Sequence, residues 1–308
     1  MPEQHPDGPN PAVALATATD VWDEDVDAAP LTEALGRAGI AARPVVWDDP
    51  SADWAAFDLV LVRSTWDYVG RRDEFLAWAE DVERRTRLAN PAGVLRWNTD
   101  KRYLAELDAA GVPVVPTAFL APGDDTAAVR RVVAGAADGT DVVVKPTVSA
   151  GSKDTSRYTA DDLGAAVDHA AALLTAGRDV MVQPYLDAVD TDGETGVVVL
   201  DGVPSHAFRK SALLRVGAGP VDGLFAPEEI GPATADASHL AVVDAVMAVV
   251  SERFTDRPVR YARVDMVRGS DGAPRLLELE LTEPSLFLWT DPTSADRVAT
   301  AVRRWCRD

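Results

Sequence analysis

Two segments near the C-terminus, Arg263-Val-Asp265 and Glu278-Leu-Glu280, alternate charged and apolar residues with a period of two. Successive side chains of a strand point to opposite faces, so Arg263 and Asp265 share one face, as Glu278 and Glu280 do. The residues between and around them (Val264, Met266, Leu277, Leu279, Leu281) are apolar and suit the other face. Three carboxylates gathered on one side of a sheet repel one another unless a cation neutralises them. Hard oxygen ligands without His or Cys favour magnesium, which takes a few carboxylates together with substrate phosphates. A solvated hairpin, with Arg263 as an ordinary salt-bridge partner, would show the same alternation. The pattern alone leaves both readings open.

Upstream, short apolar runs alternate with helical segments. Val13 to Thr17, Arg43 to Trp47 and Phe57 to Arg63 read as strands, with helices over Pro30 to Gly39 and Arg72 to Arg85. This alternation predicts a parallel sheet covered by helices over residues 13–97. Ligands of such sheets sit at the carboxyl ends of the strands, where Arg63, Trp66 and Asp67 fall. A second unit starts at residue 98 with a helix from Thr99 to Ala110, capped by Asn98 or Thr99. Within it, residues 112–182 form a small α+β lobe. Its strands run over Val112 to Phe119, Asp141 to Pro146 and Val180 to Tyr185, and its helices over Thr126 to Ala137 and Ala160 to Ala176. The remainder is rich in strands: Gly196 to Leu200 and Pro204 to Lys210 about an Asp201-Gly202 turn, then Tyr261 to Arg268 and Arg275 to Leu281. Helices are expected from Ser238 to Phe254 and from Ser294 to Arg307. Residues 1–12, with their prolines, glycine and acids, read as a disordered tail.

Charge limits the partners. Thirty Lys plus Arg face 50 Asp plus Glu, a formal net charge of −20, which repels a nucleic-acid backbone. No apolar run approaches the length of a membrane span. The one cysteine, Cys306, permits no intrachain disulfide and agrees with a reducing cytoplasm.

Further polar groups stand where packing does not ask for them. Lys145 ends the apolar run Val142-Val-Val and precedes Pro146. A lysine there either snorkels to solvent or meets an anionic partner. The loop that follows, from Thr147 to Ser156, offers hydroxyls, Gly151 and Lys153, and backbone N–H groups of such a loop can cradle phosphate. Arg209 and Lys210 close another strand, either as a solvated strand end or as a pair of cations for a phosphoryl or carboxylate group. The irregular stretch from Arg215 to Thr234 is long for a compact protein, and connections of that length are usually functional.

In order and spacing, Lys101, Lys145 with its polar loop, Gln183-Pro-Tyr185-Leu186, Glu194, Arg209-Lys210, Arg263-x-Asp265 and Glu278-x-Glu280 resemble the ATP-grasp superfamily over residues 98–308. The strings Val62-Arg-Ser-Thr-Trp-Asp-Tyr68, Arg96-Trp-Asn-Thr-Asp-Lys101, Ser205-His-Ala-Phe-Arg-Lys210 and Glu280-Leu-Thr-Glu-Pro-Ser-Leu-Phe287 narrow the resemblance. They are similar to glutathione-synthetase-like ligases and to O-ureido-serine cyclo-ligases of D-cycloserine biosynthesis. The resemblance implies an ATP-grasp fold: a parallel α/β (pre-ATP-grasp) domain, a small α+β lid lobe and an antiparallel-sheet lobe. It implies an ATP- and magnesium-dependent ligase, with two metal ions, that converts a carboxylate to an acyl-phosphate for attack by a nitrogen.

By the same resemblance, Lys101 and Lys145 contact the phosphates, and the loop with Ser149, Gly151 and Ser152 closes over them. Gln183, Tyr185 and Leu186 line the adenine site, and Asp187, Asp190 or Glu194 holds the ribose. Asp265, Glu278 and Glu280 ligate magnesium, while Arg209, Lys210 and Arg263 stabilise the transferring groups. Arg63, Trp66 and Asp67 recognise the substrate, and the segment from Arg215 to Glu229 covers the site. The partners implied are a small carboxylic acid and a nitrogen nucleophile; a homo-oligomer is compatible with this. Glu280 stands where many relatives carry asparagine, and Pro184 where many carry an acid. His206 is nearest the site and is read as structural. Two rivals remain to be separated. A nucleotide sensor or scaffold would release no ADP in response to an acid. A dinucleotide-binding oxidoreductase needs a glycine-rich turn after the first strand, and Thr17-Ala-Thr-Asp20 has no glycine.

Overall fold

The computed structural model describes residues 10–212, 214 and 229–308. Most of the expected tail and of the expected cover from Arg215 to Glu229 lies outside the described residues. The first unit holds β1 (Ala12–Thr17), α1 (Ala28–Arg37), β2 (Ala41–Val46), β3 (Leu59–Val62), α2 (Arg72–Arg85) and β4 (Arg87–Leu88). These strands form a wholly parallel sheet in the order β2-β1-β3-β4. The continuous apolar runs of β1 and β3 follow from burial on both faces. Val13, Leu15, Leu59 and Leu61 face one core, while Ala14, Ala16, Val60 and Val62 face another built with Trp47, Trp54 and Phe75.

The expected helix from Thr99 is replaced by two short ones, α3 (Ala92–Asn98) and α4 (Tyr103–Ala109), with a turn between. Asn98 does not cap a helix start. Its side chain donates to the Leu279 carbonyl and accepts from the Leu281 amide, both at 2.7 Å, and this pins the turn to a neighbouring strand. The Lys101 amide in the turn donates to the Thr147 carbonyl at 2.9 Å.

The small lobe comprises β5 (Ala118–Leu120), α5 (Thr126–Ala137), β6 (Val142–Pro146), β7 (Ser156–Tyr158), α6 (Leu163–Thr175) and β8 (Val180–Pro184), with an antiparallel sheet ordered β5-β8-β6-β7. The strand expected from Val112 shrinks to β5, because Pro113 and Pro116 cannot donate to a ladder. A core of its own, with Val129, Val133, Val142, Val144, Val167 and Val182, holds the lobe together.

After α7 (Ala188–Asp192) come β9 (Glu194–Leu200), β10 (Val203–Lys210), β11 (Ile230–Ala233), α8 (Ala237–Arg253), β12 (Tyr261–Arg268), β13 (Pro274–Glu280) and α9 (Ser294–Trp305). Their five strands form an antiparallel sheet ordered β11-β10-β9-β12-β13. Asp201 and Gly202 turn the hairpin with φ of 47° and 78°, the positive values a tight two-residue turn demands. Helix α8 covers one face of the sheet through Val242, Val243, Val246 and Val250. Helix α9 returns to the first unit, where Val298, Val302, Trp305 and the buried Cys306 share a core with Leu31, Leu35 and Val13.

One glycine of this sheet bears on the site. Gly196 lies opposite Phe208 on one side and Asp265 on the other. A Cβ there would come within 2.2 Å of the Phe208 ring, itself packed at 4.6 Å against Phe287. Gly196→Ala is therefore expected to destabilise the protein by roughly 1–3 kcal/mol through overpacking, read as a lower thermal midpoint.

Candidate active site

The three sheets' ends enclose a cleft of about 680 Å³. It is walled by the small lobe (Lys145, Ser149, Gly151, Ser152, Gln183, Tyr185 and Leu186), the five-stranded sheet (Glu194, Lys210, Arg263, Glu278 and Glu280) and the first unit (Trp66 and Tyr68).

The alternation of the two C-terminal strands becomes a compact patch. In the β12–β13 register Arg263 lies opposite Glu280 and Asp265 opposite Glu278, with a bulge just beyond. Asp265 is buried and accepts from Arg263 Nη2 at 2.8 Å and Lys210 Nζ at 2.9 Å. Burial pushes its carboxyl up, but Arg263 and Lys210 outweigh burial and hold it at about 2. Glu278 pairs with Lys101 Nζ at 3.1 Å. Burial raises its carboxyl too, and Lys101 and Lys145 bring it below the usual range. Glu280 pairs with Arg263, yet burial and the neighbouring Glu278 and Asp265 push it up to about 7. The carboxylates are hard oxygen donors of the kind a magnesium ion takes, set among the cations Lys101, Lys145, Lys210 and Arg263. The fit is close for Glu278 and Glu280. Asp265 Oδ2 is taken up by Arg263 and Lys210, while Oδ1 accepts one hydrogen bond, from Arg263 Nε at 3.0 Å. Among the described residues no three His, Cys, Asp or Glu side chains already converge as a metal cage.

The small lobe supplies the other wall. Lys145 is buried at the end of β6, and among the described residues no carboxylate comes within 4.0 Å of its ammonium. Burial lowers its pKa, with Glu278 acting in the opposite sense. It is buried and does not snorkel to bulk solvent. Lys101 also donates to the Ser149 carbonyl at 2.7 Å, tying the polar loop to α4's leading turn. Gly151 and Ser152 both have positive φ, 58° and 60°, and the Lys153 amide donates to the Ala150 carbonyl at 3.1 Å, so the polar loop folds into a tight turn at the cleft. Gln183 is fixed by donating to Thr117 Oγ1 at 2.9 Å, and Tyr185 by donating to Asp190 at 2.6 Å.

Several expected site residues are not brought to this cleft. Arg209 is exposed on the opposite face from Lys210, as the period of two dictates for strand neighbours. Arg63 is 2% exposed and donates to Asp25, Asp27 and the Pro284 carbonyl, so it is an internal strut. Asp67 accepts from Trp47 Nε1 and Arg71 instead of facing the cleft. Asp190 is held by Tyr185 and Arg157, and Asp187 is exposed; of the three acids considered for a ribose, Glu194 lines the cleft. His206 Nε2 lies 2.7 Å from the Leu286 carbonyl, a structural contact as expected. Sequence reasoning missed Tyr68 and Glu283, which face the cleft together. Burial and Glu280 push the Glu283 carboxyl up to about 8, with Tyr68 acting in the opposite sense. Both residues lay inside strings that carried the resemblance, but no periodicity marked them as polar groups of a site.

Residues 13–90 match the family model described as D-cycloserine synthetase DcsG, N-terminal domain. The chain is 42% identical to the cycloserine biosynthesis protein DcsG of Streptomyces lavendulae over 294 residues, which cover 94% of this chain and 97% of that protein. The crystal structure of D-cycloserine synthetase DcsG superposes with a TM-score of 0.88 at 41% identity, over 96% of this chain and 99% of that one. The ATP-grasp ligase PsnB, complexed with precursor peptide PsnA2 and AMPPNP, has a TM-score of 0.62 at 20% identity, covering 96% and 98%. D-alanine–D-alanine ligase from Bacillus anthracis, complexed with ATP, has 0.63 at 15%, covering 95% and 98%. The last two likenesses establish the fold, and the first three establish more. With the parallel first sheet, the small antiparallel lobe and the antiparallel C-terminal sheet in place, this chain is a carbon–nitrogen ligase of the ATP-grasp fold and belongs to the D-cycloserine synthetase DcsG family.

Proposed function

We propose that this enzyme uses Mg-ATP to activate the carboxylate of O-ureido-serine and closes it on its own nitrogen to form cycloserine. The observation that carries this is the meeting of Lys101, Lys145, Lys210 and Arg263 with Glu278 and Glu280 in one cleft large enough for a nucleotide and a small acid. Lys101 and Lys145 hold the phosphates, and the amides from Ser149 to Ser152 fold over them. Gln183, Tyr185 and Leu186 frame the adenine, and Glu194 takes the ribose. Glu278 and Glu280, with Asp265, would hold two magnesium ions, which would supply positive charge against the phosphates. Trp66 lines the acid's side of the cleft.

Catalysis in this reading is positioning and charge stabilisation. A substrate carboxylate oxygen attacks the γ-phosphorus, and ADP leaves. The nitrogen bound to the side-chain oxygen then attacks the acyl carbon, and phosphate leaves as the ring closes. Hydrolysis of the N–C bond to the carbamoyl group by one water then yields cycloserine and carbamic acid, which breaks down to carbon dioxide and ammonia. Lys210 and Arg263 are locked onto Asp265 and present their cations without rearrangement, which suits them to the negative charge that develops on the phosphoryl and acyl oxygens.

ADP release measured against amino acids, dipeptides and O-ureido-serine tests the proposal. The ligase releases ADP with O-ureido-serine and yields cycloserine by mass; a sensor binds ATP and releases none with any acid. Lys145→Met supplies a second check. Removing one charge-assisted contact should weaken AMPPNP binding about 10- to 100-fold by calorimetry. The thermal midpoint should not fall, because Lys145 has no carboxylate within 4.0 Å to be left stranded among the described residues.

A further inference from the structure

One carboxylate in the cleft is not used by phosphoryl transfer. Glu283 is half-buried and lines the cleft together with Tyr68. The neighbouring acids each have a cation: Asp265 has Lys210 and Arg263, Glu278 has Lys101, and Glu280 has Arg263. Among the described residues no Lys, Arg or His nitrogen lies within 4.0 Å of Glu283. A carboxylate withdrawn from water with only a tyrosine for company is costly unless a ligand brings the cation.

The loop that carries Glu283 is held still on every side. Arg63 donates to the Pro284 carbonyl at 2.9 Å and Arg263 to the Ser285 carbonyl at 3.1 Å. Asp27 accepts the amides of Leu286, Phe287 and Leu288 at 2.5, 3.1 and 2.7 Å. Phe287 takes a positive φ of 48° in this arrangement. Such bracing fixes a recognition group in advance of its ligand. Tyr68 comes from the first unit and Glu283 from the segment after β13, so the pair spans the two walls between which an acid would lie.

We infer that Glu283, on its braced loop, binds the α-ammonium of the substrate and restricts the cleft to carboxylates derived from α-amino acids. This rests on the ligase reading above and adds to it the residue that recognises the substrate's amine. An α-ammonium is attached to the carbon beside the reacting carboxyl group. The carboxyl group needs Arg263 and the Glu280 side of the patch, and Glu283 follows Glu280 by three residues and interacts with it. One small zwitterion then meets a cationic wall with its carboxylate and an anionic one with its ammonium. A magnesium ion would also satisfy Glu283, and the experiment separates the two.

Binding of O-ureido-serine and of its des-amino counterpart, 3-(ureidooxy)propionate, is measured by calorimetry with AMPPNP and magnesium on the wild type and on Glu283→Gln. Glutamine keeps the volume of the side chain and loses the charge. The wild type is expected to prefer the amino form by about 10- to 100-fold, the worth of a charge-assisted contact. Glu283→Gln should bind both within about threefold of each other, with the magnesium requirement for AMPPNP binding unchanged. Retained discrimination in the variant overturns the inference, as does a raised magnesium requirement without lost discrimination. Wild-type ADP release with acids lacking an amine overturns it while leaving the ligase reading intact. A wild type that releases ADP with no acid at all removes both.

Discussion

Glu278→Gln is expected to lower kcat by at least about a thousandfold while leaving the fold intact. Glutamine keeps the volume of the side chain and one oxygen. It loses the charge that faces Lys101 at 3.1 Å and that would hold a divalent ion. A thousandfold is about 4 kcal/mol of transition-state stabilisation. That is within the range seen when one charge-stabilising group is removed from a phosphoryl-transfer site. The fold survives because Lys101 keeps its hydrogen bond to the Ser149 carbonyl at 2.7 Å and the β12–β13 ladder is untouched. Steady-state kinetics beside circular dichroism decide the matter. Turnover near the wild-type rate would contradict the assignment of Glu278 to the metal.

Arg63→Ala is expected to act in the opposite manner, costing stability first. Arg63 is buried with Asp25 and Asp27, themselves almost fully buried. Removing the cation strands two carboxylates in the interior. Breaking one partner out of a buried ion cluster typically costs about 3–5 kcal/mol. The loss should show as a lower urea midpoint with an unchanged slope. Asp27 also braces the loop of Glu283 through three backbone amides, so substrate affinity should fall along with stability. A raised KM with an undisturbed urea midpoint would mean that Arg63 touches the substrate directly.

Arg63 shows where sequence reasoning stops. Its position at the end of a parallel strand was legible, because Leu59 to Val62 are apolar on both faces and the chain must turn beyond them. The direction of its side chain was not, because that depends on Asp25 and Asp27, two acids in an unpatterned loop, and on Pro284, 221 residues away. Lys210 and Arg209 make the complementary case. Adjacent strand residues cannot face the same cleft, so the sequence allowed one of the two, and burial against Asp265 selects Lys210. The carboxylate patch was readable because period-two alternation survives folding, and the β12–β13 register sets the two pairs side by side. The strand expected over Val112 to Phe119 failed for a local reason, its prolines. The helix break at Thr99 failed for a distant one, the hydrogen bonds of Asn98 to β13 and the residue after it. Glu283 was invisible because a lone acid in a loop carries no pattern.

The central claim, that this cleft transfers a phosphoryl group to a substrate carboxylate before the C–N bond forms, is tested most directly by isotope transfer. O-ureido-serine labelled with oxygen-18 in its carboxyl group is turned over with unlabelled ATP in unlabelled water. An acyl-phosphate requires that each phosphate released carry one labelled oxygen, as seen by mass spectrometry. Unlabelled phosphate released together with cycloserine would contradict the account.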